Sequence, residues 1–307
     1  MSRMDATPVA PLTSTGPTPG AVLALLKPIT WFPPMWAYGC GVVATPTDDP
    51  SRWGYIIGGI VLAGPLVCGT SQAVNDWFDR HVDAINEPTR VIPSGRMPGR
   101  SALHVAVAGT VLSAGVAALL GPWVLVAALI ALVLAWAYSA PPLRLKQNGW
   151  GGNAAVGFSY ETLPWLTAAA AVAGTLPPTE TLTIALLYGA GAHGILTLND
   201  FKAIEGDRRM GVASLPVQLG VQGAARLSGL VMIVPQLLVV FCLGLWEKPI
   251  FAASIFALIV IQAGCLRRML RDPRKYAVWY SGVGVGLYVI GMMIAAVALR
   301  GLHAASL

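Results

Sequence analysis

The sequence predicts an all-α, polytopic membrane protein with nine transmembrane helices and a cytoplasmic N-terminus. Hydrophobic residues make up 55% of the 307 residues and charged residues only 11%, whereas about a quarter of an average soluble domain is charged. Long uncharged runs recur along the whole chain. Lysine and arginine concentrate in every second connection between these runs, which is typical of proteins that cross a membrane repeatedly.

Nine runs come close to the length of about 20 mostly apolar residues that a membrane helix needs. Residues 102–143 contain no charged side chain and are long enough for two spans, with Gly121-Pro122 as the turn between them. The predicted spans lie at about 28–47, 54–75, two within 102–143, 152–173, 181–199, 224–245, 249–267 and 277–299.

The N-terminal segment differs from the rest of the chain in composition. Residues 1–20 are rich in Pro, Thr and Gly and contain no long apolar run. We expect them to form a flexible cytoplasmic tail without a cleaved signal, followed by a single transmembrane domain at 21–307.

Positive charge sets the predicted orientation. With nine spans and a cytoplasmic N-terminus, 17 of the 20 Lys and Arg residues lie on the cytoplasmic side, and only Arg52, Lys248 and Arg300 on the other. Cytoplasmic loops normally carry this excess. The formal net charge of +6 is therefore explained by membrane orientation, and we expect no nucleic-acid partner.

The stretch at 75–96 is unusually polar for this chain. Asn75, Asp79 and Asp83 follow each other at intervals of four residues, which places them on one stripe of a helix. Their oxygen atoms repel one another unless a cation lies among them. Mg²⁺ is the usual cation for such a set, and it normally shares its coordination with phosphate oxygens. The alternative is an ordinary solvated loop.

A second acidic stretch, at 199–211, is predicted on the same side of the membrane. Asn199-Asp200 repeats Asn75-Asp76, and Asp207 follows Asn199 by eight residues, but Ala203 occupies the position of Asp79. Glu205 or Asp200 would have to supply the missing ligand. Two such clusters suggest two Mg²⁺ ions that bind a diphosphate, with Asp79, Asp83 and Asp207 as the central carboxylates. Alternatively, the acids only balance arginines in the loops of a transporter.

Several side chains near these clusters are candidates for binding the diphosphate. Tyr138 ends the fourth span, and Arg144 and Lys146 follow within eight residues; cationic side chains there can bind phosphate oxygens. Arg90 and Arg96 belong to a Pro- and Gly-rich loop, which could act as a clamp over the phosphates or as a simple connector.

Two ionisable residues inside predicted spans remain open. Glu161 in the fifth span is a functional candidate because a carboxylate at membrane depth is costly; a structural role next to Pro164 is the alternative. His193 in the sixth span is interpreted as a packing residue, and we assign it no catalytic role.

The motifs resemble those of one known family. NDWFDRHVD at 75–83, the second acidic stretch ending at Asp207, and YSAPPLRLK at 138–146 are similar to the intramembrane prenyltransferases of the UbiA superfamily. DAINEPTRVIPSG, NDFKAIEGD and SLPVQLG resemble its chlorophyll synthases, and LKPITWFPPMWAYGCG and GWGGN resemble the bacteriochlorophyll synthase branch. Val91 stands where that branch usually has a second proline.

The resemblance implies a ring of nine helices around a central cavity whose active-site mouth opens to the cytoplasm. It also implies transfer of a geranylgeranyl or phytyl group from its diphosphate to the 17-propionate of a bacteriochlorophyllide. The expected location is the inner membrane or an intracytoplasmic photosynthetic membrane. The alternatives are a related enzyme acting on chlorophyllide, haem, a quinone precursor or a lipid glycerol, and a membrane transporter.

The resemblance also assigns roles to individual residues. Asn75, Asp79, Asp83 and Asp207 correspond to the positions that bind Mg²⁺ and diphosphate, and Arg144 and Lys146 to basic diphosphate contacts. Asn199, Asp200 and Glu205 complete the expected metal-binding set.

Overall fold

The computed structural model describes residues 16–304, so most of the predicted tail at 1–20 lies outside the described residues. The described chain is helical and contains no strand; one isolated bridge joins Asn148 and Ala213. Seven of its helices are long and apolar enough to cross a membrane. The helices are α1 Pro19–Leu26, α2 Phe32–Ala44, α3 Trp53–Val61, α4 Gly69–Asn86, α5 Ser101–Leu120, α6 Pro122–Ser139, α7 Gly149–Gly157, α8 Leu163–Ala173, α9 Thr179–Asn199, α10 Ile204–Met210, α11 Leu215–Leu245, α12 Pro249–Arg271 and α13 Pro273–His303.

The first and fifth predicted spans are not among these seven helices and consist of shorter helical pieces. The first, at 28–47, contains a 3₁₀ turn at Pro28–Thr30 and then α2. The fifth, at 152–173, runs from α7 through a π-helical segment at Phe158–Thr162 into α8. Pro164 cannot donate a backbone hydrogen bond to the preceding turn, so the regular α-helical pattern is disturbed there.

Another π-helical segment, Leu62–Cys68, joins α3 to α4 and contains Pro65. In chain order, Leu62–Cys68 is the first π segment and Phe158–Thr162 the second. Such insertions are rare and often lie at functional sites. Both segments border the same internal cavity.

The helices pack in two connected groups. In the larger group α2 contacts α8 and α13, and α9 contacts α7, α11 and α13. Its core includes the fully buried rings of Trp165, Tyr188 and Tyr288, in which Tyr188 lies 6.0 Å from Trp165 and 5.2 Å from Tyr288 between ring centres. In the smaller group α4 contacts α5 and α6, and α6 contacts α8, which links the two groups.

A cavity of about 260 Å³ lies between the groups. Its wall is mostly Ala, Val, Leu and Pro, contributed by α2, the two π segments, α4, α6, α7 and α9. Asn75 and Tyr138 line one end, which we call the polar end because the acidic residues of α4 continue beyond it. The fold therefore connects an apolar chamber to the first acidic motif.

Candidate functional site

Helix α4 carries the first acidic motif without interruption. Asn75, Asp79 and Asp83 all lie within Gly69–Asn86, four residues apart, so they form one stripe along the helix. The Asn75 amide donates a hydrogen bond to the Ser139 hydroxyl, 3.2 Å away at the end of α6. The stripe therefore begins at the cavity and extends away from it.

The two carboxylates of this stripe are paired with cations from other segments. Lys146 Nζ lies 2.5 Å and Arg144 Nη2 3.6 Å from Asp79 Oδ1. Arg90 Nη1 lies 3.0 Å from Asp83 Oδ2. Burial lowers the pKa of the Lys146 ammonium, and the charge of Asp79 opposes this effect. The pairs hold the acidic stripe in a charge-balanced state.

A further pair beside the stripe was not assigned a role from the sequence. Asp76 is only 2% exposed, and its carboxylate accepts a hydrogen bond from Lys27 Nζ at 2.6 Å. Arg90 Nη1 lies 3.6 Å from the same oxygen. Asp76 therefore ties both the end of α1 and the loop after α4 to the helix that carries the stripe. A pair 49 residues apart leaves no periodic signal in the sequence.

Arg90 and Arg96 differ in their surroundings although both belong to the loop at 87–100. Arg90 also donates two hydrogen bonds to the Glu87 carboxylate, at 2.6 and 2.8 Å. These hydrogen bonds lower the pKa of the Glu87 carboxyl. Arg96 is exposed and donates only to Ser94 and to the Thr89 carbonyl within its own loop. The structure thus links Arg90, but not Arg96, to the acidic stripe.

The second acidic motif is not a continuous helical stripe. Helix α9 ends at Asn199, a 3₁₀ turn covers Asp200–Lys202, and α10 begins at Ile204. The break accompanies a hydrogen bond of 3.3 Å from the buried Asn153 amide of α7 to Asp200 Oδ2, which holds that carboxylate against α7. The spacing of eight residues from Asn199 to Asp207 therefore does not place their side chains on one helix face.

The members of the second motif are exposed to different degrees. Asp200 and Asp207 are half-buried, and burial raises the pKa of the Asp207 carboxyl. Asn199 is exposed. The Glu205 side chain is 69% exposed, with its nearest cation, Arg208, at 3.9 Å. Asp200, rather than Glu205, has the protected environment of a ligand.

The loop that carries Arg144 and Lys146 is fixed to the segment after the second motif. Gly149 N donates to the Ala213 carbonyl at 2.8 Å, and Ala213 N donates to the Gln147 carbonyl at 2.9 Å. Arg144 adopts a left-handed backbone conformation with φ of 40°. A non-glycine residue in this region costs about 1–3 kcal/mol, and such strain is concentrated at functional sites. The two bridges position the basic loop next to the acidic residues.

Tyr138 lies near both acidic motifs. The charges of Asp79, Asp200 and Asp207 all act on its hydroxyl group, so carboxylates from both motifs lie within electrostatic range of it. Tyr138 also lines the cavity. The direct contacts at this end of the cavity are the ion pairs that join Asp79 to Arg144 and Lys146.

These residues fit a metal that is shared with a substrate. Among residues 16–304, no group of three or more His, Cys, Asp or Glu side chains is close enough to hold an ion alone. Mg²⁺ commonly uses one or two carboxylates and completes its coordination with phosphate oxygens and water. A half-buried set of hard oxygen donors beside basic side chains suits that arrangement.

Glu161 and His193 lie outside this constellation. Glu161 belongs to the second π segment but does not line the cavity; it is 6% exposed, and its Oε2 has no hydrogen-bond partner. His193 borders an outer groove, with its ring centre 5.8 Å from that of Trp150.

Comparison with known protein families decides what this site belongs to. Residues 30–282 match the UbiA prenyltransferase family. The chain belongs to the UbiA prenyltransferase family. This UbiA prenyltransferase is 54% identical over 287 residues to the bacteriochlorophyll synthase 33 kDa chain of Cereibacter sphaeroides, covering 94% of this chain and 95% of the relative. It is 50% identical over 301 residues to the protein of the same name from Rhodobacter capsulatus, covering 97% and 99%.

The predicted membership of the bacteriochlorophyll synthase branch is confirmed by these relatives, and so is the predicted prenyltransferase class. Solved structures share the fold of this UbiA prenyltransferase. A UbiA homolog from Archaeoglobus fulgidus, bound to GPP and Mg²⁺, superimposes with a TM-score of 0.70 at 18% identity, covering 89% of this chain and 99% of that one. A digeranylgeranylglyceryl phosphate synthase gives a TM-score of 0.67 at 19% identity, covering 91% and 98%. The chain is thus a multi-pass membrane protein with a UbiA fold.

Proposed function

We propose that the chain transfers a geranylgeranyl or phytyl group from its diphosphate to the 17-propionate of bacteriochlorophyllide a. The reaction would complete bacteriochlorophyll synthesis. The observation that carries this proposal is the pairing of the first acidic motif with the basic loop beyond the polar end of an apolar cavity, with the second motif within electrostatic range of the same end. The near full-length similarity to two bacteriochlorophyll synthase chains supports the choice of acceptor.

The proposed cofactor is Mg²⁺, with two ions. The A. fulgidus homolog binds Mg²⁺ together with a prenyl diphosphate, which supports a shared mode of binding. The proposed ligands are Asn75, Asp79 and Asp83 from α4, and Asp200 and Asp207 from the second motif, with Asn199 and Glu205 in outer positions. When bound, the ions would neutralise the charge that develops on the departing diphosphate.

Basic and hydroxyl groups of the chain would bind the diphosphate directly. Lys146 and Arg144 are close to Asp79 and need only exchange that carboxylate for a phosphate oxygen, because charge-assisted hydrogen bonds to either acceptor are similar in strength. The Tyr138 hydroxyl would donate a hydrogen bond to a phosphate oxygen at the polar end of the cavity. Arg90 would hold the loop at 87–100 over the site.

The acceptor requires positioning more than deprotonation. A propionate has a pKa close to that of Glu and is already ionised at neutral pH, so no general base is needed. The apolar wall of the cavity would exclude water from the reacting carbon, and water is the competing nucleophile. This is why neither His193 nor His81 is assigned a catalytic role.

We further propose that the protein has nine membrane spans, a cytoplasmic N-terminus and a single domain at 21–307. The pieces at 28–44 and 149–173 would supply the first and fifth spans, which are not among the seven long apolar helices. The strong bias of Lys and Arg towards one side supports this orientation. The polar end would then face the cytoplasm, in the inner membrane or an intracytoplasmic photosynthetic membrane.

The deciding experiment incubates purified protein in detergent or vesicles with geranylgeranyl diphosphate, Mg²⁺ and one candidate acceptor at a time. We expect an ester with bacteriochlorophyllide a and release of diphosphate. EDTA should stop the reaction, and Asp79→Ala should reduce kcat at least about 100-fold, while the exposed Asp48→Ala should have wild-type activity. Prenylation of only a quinone precursor, haem or a lipid glycerol would refute the proposed acceptor. Full activity of both Asp79→Ala and Asp207→Ala would refute the metal site.

A further inference from the structure

One polar cluster interrupts the apolar wall of the cavity. It consists of Cys68, Ser71 and Gln72 on one side and Tyr160 on the other, and we call it the polar shelf. Gln72 Nε2 donates to the Tyr160 hydroxyl at 3.0 Å. Ser71 Oγ lies 3.2 Å and Cys68 Sγ 3.3 Å from the same hydroxyl. All four residues line the cavity.

The two π segments bring the polar shelf together. Cys68 is the last residue of the first π segment, and Tyr160 lies in the middle of the second. The additional residue in each π turn changes the direction in which the following side chains project. Two rare insertions that meet at one hydrogen-bonded cluster indicate that the position of the cluster matters for function.

The depth of the polar shelf places it near the reacting carbon. Gln72 precedes Asn75 by three residues on α4, so both lie on the same face of the helix, about 4.5 Å apart along its axis. Asn75 belongs to the set proposed for the metal and diphosphate. The carbon that carries the diphosphate would therefore lie at the level of the shelf, and the remaining prenyl chain deeper in the apolar part.

The polar shelf has one unused hydrogen-bond donor and a second donor that can be redirected. The Gln72 amide has two N–H groups and uses one of them on Tyr160. Ser71 Oγ donates to the Cys68 carbonyl at 2.7 Å, so the Tyr160 hydroxyl donates its one proton to Ser71; a bound acceptor would take over that proton. Among the described residues that line the cavity, none has a charged side chain. The shelf can thus bind an anion with neutral donors, which leaves the anion more nucleophilic than an ion pair would.

We propose that Gln72 and Tyr160 bind the carboxylate of the acceptor and direct one of its oxygens at the prenyl carbon. This inference rests on the proposed function. In the step, the carbon–oxygen bond to diphosphate breaks, and its electron pair leaves with the diphosphate. A carboxylate oxygen forms the new ester bond to the same carbon. The acceptor enters as an anion, so no proton is released.

The test compares the kinetics of both substrates in Gln72→Leu and Tyr160→Phe. A hydrogen bond to a charged group contributes enough that its loss should lower kcat/KM for the acceptor about 10- to 100-fold. The KM for geranylgeranyl diphosphate should stay within about twofold of the wild-type value, because the polar end is untouched. Gln72→Glu preserves the shape of the side chain but repels the carboxylate, so it should raise the acceptor KM further.

A matched control is available on the surface. Gln222 is exposed and donates to the Leu270 carbonyl at 3.0 Å; Gln222→Leu should leave both substrates unaffected. Slow hydrolysis of the prenyl diphosphate without acceptor provides a second readout, and it should persist in all the shelf variants. If Gln72→Leu does not fold, Tyr160→Phe, which removes only one oxygen atom, still gives the answer.

The possible failures are distinguishable. Wild-type protein that forms no ester with any tetrapyrrole propionate would contradict the proposed function. Wild-type protein that forms the ester, together with Gln72→Leu and Tyr160→Phe variants that retain the acceptor kcat/KM, would overturn only the role of the shelf. An equal loss for both substrates would also overturn it, since the shelf would then serve the prenyl donor.

Discussion

Lys146 Nζ lies 2.5 Å from Asp79 Oδ1, so a proposed diphosphate-binding cation is already paired with a proposed metal ligand. Without substrate, the two charges neutralise each other in a half-buried place. Arrival of Mg²⁺ and diphosphate would replace this pair by two others, one between the metal and Asp79 and one between phosphate and Lys146. The site can thus remain charge-balanced before and after binding.

Lys146 is the first residue that this arrangement allows us to test. Lys146→Met should lower kcat/KM for geranylgeranyl diphosphate about 10- to 100-fold, because a charge-assisted contact to phosphate is lost. The acceptor KM should change little. Lys275→Met, at the exposed start of α13, is the control. An unchanged KM and kcat for the diphosphate in Lys146→Met would exclude direct phosphate binding.

The sequence allows either Asp200 or Glu205 to replace the metal-binding carboxylate that is missing at Ala203. The structure leads us to expect a large loss of activity for a substitution of Asp200 and a small one for Glu205. Asp200→Asn should reduce kcat about 100-fold and raise the Mg²⁺ concentration needed for half-maximal rate. Glu205→Gln should be nearly wild type because its side chain is 69% exposed. A Mg²⁺ titration of both variants measures this difference. The reverse order of effects would make Glu205 the ligand.

Asp76 is expected to contribute to stability through its contacts with Lys27 and Arg90. Breaking a buried ion pair from one side costs about 3–5 kcal/mol; because Lys27 is 25% and Arg90 29% exposed, we expect about 2–3 kcal/mol for Asp76→Ala. Thermal unfolding in detergent, compared with Asp48→Ala, measures the effect. Equal unfolding temperatures for the two variants would show that the pair adds nothing.

Gly41 and Gly39 form a matched pair on α2. A Cβ atom at Gly41 would overlap the Trp165 carbonyl and approach Ala168 Cβ to 2.7 Å, whereas one at Gly39 would meet nothing within 4 Å. Gly41→Ala should therefore destabilise the contact between α2 and α8 by about 1–3 kcal/mol, and Gly39→Ala should be tolerated. The yield of monodisperse protein after brief heating distinguishes them. Equal yields would mean that the helices can separate without cost.

Regular spacing explains what the sequence could predict. The stripe of Asn75, Asp79 and Asp83 follows directly from the helical repeat, and it lies on one unbroken helix. The same reasoning does not extend to the second motif, because the helix breaks at Asp200, where a hydrogen bond arrives from Asn153, 47 residues away. Local periodicity does not contain such tertiary contacts.

The polar shelf could not be predicted from the sequence either. Gln72 and Tyr160 are 88 residues apart, and each taken alone resembles a packing residue of an apolar helix. Only the π turns, which depend on where Pro65 and Pro164 interrupt backbone hydrogen bonding, bring them together. The composition is enough to predict a membrane protein, whereas the interior hydrogen bonds depend on tertiary contacts that composition does not contain.

The backbone bridges between the Gln147–Gly149 segment and Ala213 have a consequence for traffic through the site. They join the basic loop and the end of the second motif into one block, so these parts cannot separate without breaking both hydrogen bonds. The loop at 87–100 is held by the ion pairs of Arg90 and by Val91 and Met97, which are buried in a core cluster with residues of α1, α4 and α5. Both segments are therefore anchored, and the passage of substrates and products should not require either of them to unfold.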